Sequence, residues 1–576
     1  MCGNAPLVGE RTSHMDNIPA MNERNRYRLF RWLFFAWAAA MVVHPLAYAQ
    51  EGPAKNEPAS PAISVSTSKS PMSPAASSGP TLASAMLLYR AKDYDKASRE
   101  YNALIVANPS SANAYSGLAR VYVKQVKLGD ALSAAKKAVE LDPTNPIGHT
   151  ALGEVYFCMG KITEAEAEFV PIVKAGQGYG RAYLGEARVS WASSYYKQAK
   201  RMIDLAHKLD SGDPEILDLW MDTENVEERI RNLKEELADP ANTDPKRQEQ
   251  LEQTLLLLTD AQIGHSACRT ASKVSSLEVP FALLLNDPRT YRAAGLKLAI
   301  NGTSATLMVD TEASGILIGS KIAAKAGVTR VTKTSIGGIG DRGDQSGYIG
   351  HVDSIKLGDL EFHDCYVEVT DKRSALDDDG LVGADLFRNF LVDLDFSGRK
   401  FRLSELPPRP ADGGSASSDA QDVAQFQNRY VAPEMKSYTP VFRSGHDLLV
   451  PTRINDSIVK LFLIDSGSMS NSISPVAARE VTKVGADSYT TVKGLSGSVK
   501  NVYRADKAIL TFGRLRQQNQ DIIGFDTTSI SESAGTEVSG ILGFATLGML
   551  DVKIDYRDGL VDFTFDQQKW CQGKCR

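Results

Sequence analysis

Hydrophobic and polar positions along the chain follow two different rhythms. From residue 80 to 214, small and apolar residues recur at helical spacing with a longer period laid over it. Ala97, Ala131, Ala165 and Ala199 stand 34 residues apart, as do Pro109 and Pro143, Tyr122 and Tyr156, and Leu118 and Leu152. A fixed period of this length marks a repeat of paired helices. Small residues lie where the two helices approach, and proline ends the second helix. The pattern predicts about four pairs, less regular at both ends. A helical connector follows over 215–275, broken at Asp239-Pro240-Ala241-Asn242-Thr243-Asp244-Pro245. Within it, Leu255-Leu256-Leu257-Leu258 reads as helix-packing core.

From residue 276 the apolar runs shorten, and Gly and Asn punctuate them, which is the rhythm of strands and tight turns. This half also repeats itself. Leu307-Met308-Val309-Asp310-Thr311-Glu312-Ala313-Ser314 is matched by Leu461-Phe462-Leu463-Ile464-Asp465-Ser466-Gly467-Ser468. Upstream, Leu298-Ala299-Ile300-Asn301-Gly302 is matched by Thr452-Arg453-Ile454-Asn455-Asp456. Each reads as a hairpin that delivers an aspartate at the end of its second strand. Downstream stand Gly380-Leu381-Val382-Gly383 and Gly540-Ile541-Leu542-Gly543. The interval from Asp to the second Gly is 73 residues in one copy (310 to 383) and 78 in the other (465 to 543). Two β-rich lobes of about 130 residues each are expected, at 276–406 and 429–576. The Pro/Gly/Ser-rich stretch 407–428 links them. The expected fold is therefore multidomain, an all-α solenoid followed by an all-β two-lobed domain.

The aspartate motifs resemble those of the retropepsin-like and pepsin-like aspartic proteases. There, each lobe or subunit carries Asp-Thr/Ser-Gly-Ser/Thr/Ala, and a later strand ends in two apolar residues and Gly. Residues 280–405 and 435–566 carry this resemblance. The 34-residue period likewise resembles tetratricopeptide repeats. The first resemblance implies an aspartic endopeptidase with Asp310 and Asp465 as its catalytic pair, acting on a peptide or protein without metal or organic cofactor. Two carboxyls about 3 Å apart share one proton, so one can activate water while the other polarises the scissile carbonyl. Thr311 and Ser466 would fix the loops, with Ser314, Gly467 and Ser468 supporting the carboxylates. Gly337, Gly338 and Gly340 sit where such proteins carry a flap over the substrate, and Gly494 and Gly497 hold the matching place in the second copy. The second resemblance implies a protein partner or substrate on the repeats. One departure stands out: Glu312 replaces the family's Gly and brings a third carboxyl towards the pair. A catalytically degenerate peptide-binding adaptor is the rival reading that this departure raises.

The amino terminus bears on location. Arg24, Arg26, Arg28 and Arg31 precede the apolar run Trp32 to Val43, and Ala47-Tyr48-Ala49 follows. A basic region, a short apolar run and a small-x-small ending form a secretory signal, with cleavage expected after Ala49. No stable membrane span is expected after cleavage. Residues 50–79, dense in Pro, Ala and Ser, are expected to be a disordered tether. The protein is accordingly expected to be periplasmic or secreted. The combination of repeats with lobes points to a bacterial host, and the sequons at Asn301 and Asn455 fall in hairpin turns.

Charge and cysteine usage narrow the field further. The net charge is −5, with no basic stripe, so nucleic acid is not an expected partner. Six cysteines are too few for a disulfide framework. Cys2 falls in the leader, Cys158 in a helical repeat, and Cys571 and Cys575 are expected to form a terminal disulfide. The sequence leaves open whether Cys268 and Cys365 pair. No His-Glu-x-x-His, zinc-finger spacing, phosphate-cradling loop or Gly-x-Ser-x-Gly elbow is present.

Overall fold

The computed structural model describes residues 79–239, 244–262, 268–287, 290–370, 379–410 and 427–568. The leader, the tether, most of the inter-lobe linker, Cys571 and Cys575 lie outside them. Antiparallel helix pairs form at Leu82–Arg90 with Tyr94–Ala107, Ala112–Lys124 with Leu128–Leu141, Pro146–Cys158 with Ile162–Lys174, and Gly180–Ala192 with Tyr196–Leu209. Ala97, Ala131, Ala165 and Ala199 are buried where the paired helices meet. Bulk is excluded elsewhere too. A Cβ on Gly153 or Gly185 would stand 2.6 or 2.4 Å from the Phe169 ring, so these glycines make room for that fully buried side chain. Pro146 and Pro214 open helices whose first turns are capped by Asn145 and Asp213.

The repeats run further than the period suggested. Pro214–Asp222 and Val226–Ala238 form a fifth pair, and Pro245–Gln262 packs on the latter. One period beyond Ala199 stands buried Leu233, so the small residue that marks the repeat is replaced there.

Two larger sheets, of nine and eight strands, form the lobes, and a six-stranded sheet joins them. The joining sheet takes Ser276–Pro280, Phe390–Asp395 and Lys400–Glu405 from the first lobe. It takes Thr439–Pro440, Leu550–Asp555 and Leu560–Phe565 from the second, with Val392 opposite Ile554. A single apolar core runs through this sheet from Leu307, Val309 and Val382 to Phe462, Ile464 and Leu542. The first lobe begins earlier than 276: strand Arg269–Thr270 pairs with Phe362 and His363, and Cys268 is disulfide-bonded to Cys365. A two-residue strand carries no alternation, so the sequence could not reveal it.

The two hairpin turns are built alike. Asn301 and Asn455 both adopt positive φ, 45° and 48°. Their amides donate to Ala326 O at 2.9 Å and to Val481 O and Lys507 O at 3.2 Å. Both side-chain oxygens accept backbone N–H groups, from Ser354 and Ile509. Asparagine is suited to both tasks, tolerating the left-handed region while bonding neighbouring backbone.

The repeats are fastened to the lobes. Ile162, Phe169 and Val189 share an apolar cluster with Leu461, Leu463, Val538 and Ile541 of the second lobe. Thr536 Oγ1 donates to Phe157 O at 2.6 Å, and Glu537 N to Cys158 O at 2.9 Å. On the first lobe, Tyr366 OH donates to Asp260 at 2.5 Å.

Candidate active site

Strands Thr303–Asp310 and Ile458–Ile464 end side by side and bring Asp310 and Asp465 together at the lobe boundary. The following residues cross-link the two ends. Thr311 Oγ1 donates to Ile464 O at 2.6 Å, and Ser466 Oγ donates to Val309 O at 2.8 Å. Ser466 N then donates to Thr311 Oγ1 at 3.0 Å, and Thr311 N to Ser466 Oγ at 3.2 Å. All four groups are buried, where bonded polar groups fix geometry and unbonded ones would be costly. Gly383 and Gly543 complete the frame. A Cβ on either would lie 2.4 Å from the carbonyl of Ala313 or of Ser470, so the downstream strand can lie against each aspartate loop only if glycine stands there.

The carboxyls are hydrogen-bonded to each other and held unequally. Asp310 Oδ1 accepts the Glu312 and Ala313 amides at 2.9 and 3.3 Å. Asp465 Oδ1 accepts the Gly467 and Ser468 amides at 2.8 and 2.9 Å, and its Oδ2 accepts the Ser468 hydroxyl at 2.5 Å. Ser314 does not support Asp310: its hydroxyl donates to Asp385 Oδ2 at 3.0 Å, and Asp385 Oδ1 accepts Gly315 N at 2.9 Å. Burial is the main cause that raises both dyad carboxyls, with the charge of Asp465 adding to it at Asp310. The three donors on Asp465 oppose the rise there, one more than the two amides on Asp310 supply.

Gly467 passes tightly beside this pair; a Cβ there would lie 2.4 Å from Asp310 Oδ2. Its counterpart Glu312 is half-buried, and its carboxyl is pushed well above the usual range by burial and then by the charges of Asp310, Asp465 and Asp447. Around it lie His446, whose ring Nε2 bonds Glu312 O, and the burial-raised Asp447; Glu368, which interacts with His446, is pushed up to about 7 by burial. Neither His446, Asp447 nor Glu368 belongs to a repeated motif of the chain. Asp385 follows the Gly383 motif by two residues, which is the one signal available for any of the four.

The two Gly-rich stretches meet each other. Gly337 opens the tip after strand Thr329–Ile336, and Gly494 and Gly497 lie in the hairpin Lys493–Gly494/Gly497–Ser498. Arg342 N donates to Ser496 O at 2.9 Å, Ser496 N to Ile339 O at 3.1 Å, and Gln345 Nε2 to Leu495 O at 2.6 Å. A Cβ on Gly338 would lie 2.7 Å from Leu495 Cβ, and one on Gly494 2.4 Å from Ile339 O. Gly340 and Gly497 adopt φ of 135° and 95°. Leu495 packs with Met308, Ala313 and Leu381 of the first lobe, while Ile339 packs onto the cluster containing Leu463 and Ile541 of the second. Each tip thus sends an apolar side chain to the other lobe.

Residues 296–386 match the aspartyl protease family model, and residues 82–146 and 134–167 match tetratricopeptide repeat models. The chain thus joins tetratricopeptide repeats to an aspartyl-protease-like domain. An Hsp70-Hsp90 organizing protein of Triticum aestivum is 36% identical over 78 residues, which is 14% of this chain and 13% of that protein. Hsp70-Hsp90 organizing protein 1 of Glycine max is 37% identical over 78 residues, 14% of each. A thermophilic TPR protein of Thermus thermophilus, whose structure is solved, is 19% identical. It covers 32% of this chain and 97% of its own length, with a TM-score of 0.26.

Proposed function

We propose that this chain is an exported aspartic endopeptidase that hydrolyses peptide bonds between Asp310 and Asp465, with its repeats engaging a protein partner or substrate. The observation that carries the reading is the dyad itself: two desolvated carboxyls hydrogen-bonded to each other at the junction of two lobes. In this reading Asp465, ionised and held by three donors, takes the proton from water. Asp310 gives its proton to the scissile carbonyl oxygen as the hydroxide adds. An extended substrate pairs its backbone with the Gly-rich tips, which must part from one another to admit it.

Export is supported by the basic-apolar-small order of residues 24–49 and by the Cys268–Cys365 disulfide, a bond that persists in oxidising compartments. The likeness of a 78-residue stretch to Hsp70-Hsp90 organizing proteins supports a protein ligand for the repeats. Glu312 favours a second reading, a domain that binds peptides without cutting them, because it puts a bulky third carboxyl beside the dyad where the second lobe has Gly467. Cleavage of an unbiased peptide mixture from acid to neutral pH distinguishes the two. Cleavage lost in both Asp310→Asn and Asp465→Asn supports the endopeptidase. A folded parent that binds peptides but cuts none at any pH supports the adaptor.

A further inference from the structure

The hairpin joining Phe442–Ser444 to Asp447–Ile454 in the second lobe carries a residue at its turn that the dyad chemistry does not use. The chain reverses at Gly445, with φ of 60°, and the next residue, His446, turns inward and is 8% exposed. Its Nε2 bonds the carbonyl oxygen of Glu312, across the lobe boundary, and lies 3.2 Å from Asp447 Oδ1. A carbonyl only accepts, so Nε2 carries a hydrogen; the neutral Nε2–H tautomer and the imidazolium both supply it. The bond therefore does not depend on the ring's charge.

The position of that carbonyl gives the contact its interest. The Glu312 and Ala313 amides are the two backbone donors on Asp310 Oδ1, and the Glu312 carbonyl belongs to the peptide linking them. Anchoring this oxygen fixes the plane of the peptide and so the aim of the Ala313 N–H. Ser314, which could have steadied Asp310 directly, is committed to Asp385. The turn that presents His446 is itself braced. Arg443 Nη2 donates to Gly445 O at 2.8 Å, and Nη1 donates to Tyr556 O at 2.5 Å and to Tyr196 OH at 2.8 Å. Tyr196 opens the repeat helix Tyr196–Leu209. Hydrogen bonds and one short turn thus lead from the repeats to Asp310, through Arg443 and His446.

We propose that His446 is a positioning residue for hydrolysis: it holds the Glu312 peptide so that Asp310 keeps its orientation, and Arg443 ties that orientation to the docked repeats through Tyr196. This rests on the endopeptidase reading given above. A small misplacement of a reacting group lowers turnover far more than it lowers binding. The line of contacts is energetic coupling only if its members act non-additively.

The test is steady-state peptide hydrolysis by the full chain and its His446→Leu and His446→Gln variants. Leucine fills similar space with no donor, whereas glutamine keeps an N–H at comparable reach. The expected result for His446→Leu is a kcat lower by about tenfold or more, with KM changed by less than about twofold. His446→Gln should recover most of kcat. Tyr196→Phe should lower kcat by about twofold alone and by nothing further in the His446→Leu background. Equal kcat in parent and His446→Leu, equal losses in Leu and Gln, or a change in KM alone would overturn the proposal while leaving the endopeptidase in place. If His446→Leu does not fold, His446→Asn replaces it: the same amide on a shorter arm should lose what Gln retains, and equality of the two overturns the idea. A folded parent that cleaves nothing removes the dyad reading first, and this proposal with it.

Discussion

The two lobes have the same backbone plan but different surroundings. In the first, the strand leading to the aspartate turns Met308 towards Leu317, Leu381 and the incoming Leu495. In the second, the matching Leu463 and Ile541 lie in a cluster with Ile162, Phe169 and Val189 of the repeats. The aspartate loops diverge as well. Asp465 has a hydroxyl and two amides, Asp310 has two amides alone, and glycine on one side faces glutamate on the other. Duplication copies the frame, and unequal donors then leave the two carboxyls in unequal surroundings.

Making the lobes more alike tests this account most severely. Gly467→Glu would copy the first lobe's side chain into the second, but a Cβ there stands 2.4 Å from Asp310 Oδ2. Peptide cleavage should vanish, and thermal unfolding should report a loss on the order of 2–4 kcal/mol, the range for overpacking combined with a misplaced charge. Next comes the hydroxyl contrast. Ser468→Ala removes a donor from Asp465 and should cut kcat about tenfold and move the acid limb of the pH–rate profile upward, because an unsupported carboxylate protonates more readily. Ser314→Ala, whose partner is Asp385, should change kcat by about twofold at most.

Glu312→Gly works in the opposite direction, giving the first lobe the small residue that the second carries and removing the third carboxyl from beside the dyad. Activity at neutral pH should rise several-fold, because substrate and water then meet the pair without that side chain beside it. Unchanged or lower neutral activity would show that Glu312 is not what limits the pair. The smallest effect is on stability. Asp310, Asp465, Glu312 and Asp447 are all raised on folding. The folded chain then holds more protons than the unfolded one between the ordinary carboxylate range and their raised values. Stability must accordingly fall as pH climbs through that window and be fully present below it. Asp310→Asn should raise the unfolding free energy by about 1 kcal/mol near neutral pH and change it little near pH 4. Calorimetry at the two pH values measures the difference.

Much of this was legible in the residues, for identifiable reasons. An apolar strand ending in Asp-Thr or Asp-Ser, repeated with a downstream Gly motif at similar distance, points to paired lobes without any contact being known. Leu461-Phe462-Leu463-Ile464 carries a further signal. Four consecutive apolar residues mean a strand buried on both faces. Its second face is where the repeats dock. The fifth helix pair escaped because Leu233 stands where the period calls for alanine. His446 left no trace at all. Its partner is a backbone carbonyl 134 residues away, and a bond to backbone imposes no residue type on the other side. Ser314 misled for a related reason, since a hydroxyl near an aspartate in sequence bonds whichever carboxylate the turn presents.

The close passage of Gly467 beside Asp310 has a meaning for descent. In a dimer of identical subunits, any change at this glycine occurs twice, so a glutamate would meet a carboxyl on both sides at once. Fusing the copies into one chain removes that constraint. One gene half can keep the glycine that the other half's aspartate requires, while its twin is free to drift. Glu312 is a substitution that two identical halves would have to carry at both positions, and at 467 it would collide with Asp310.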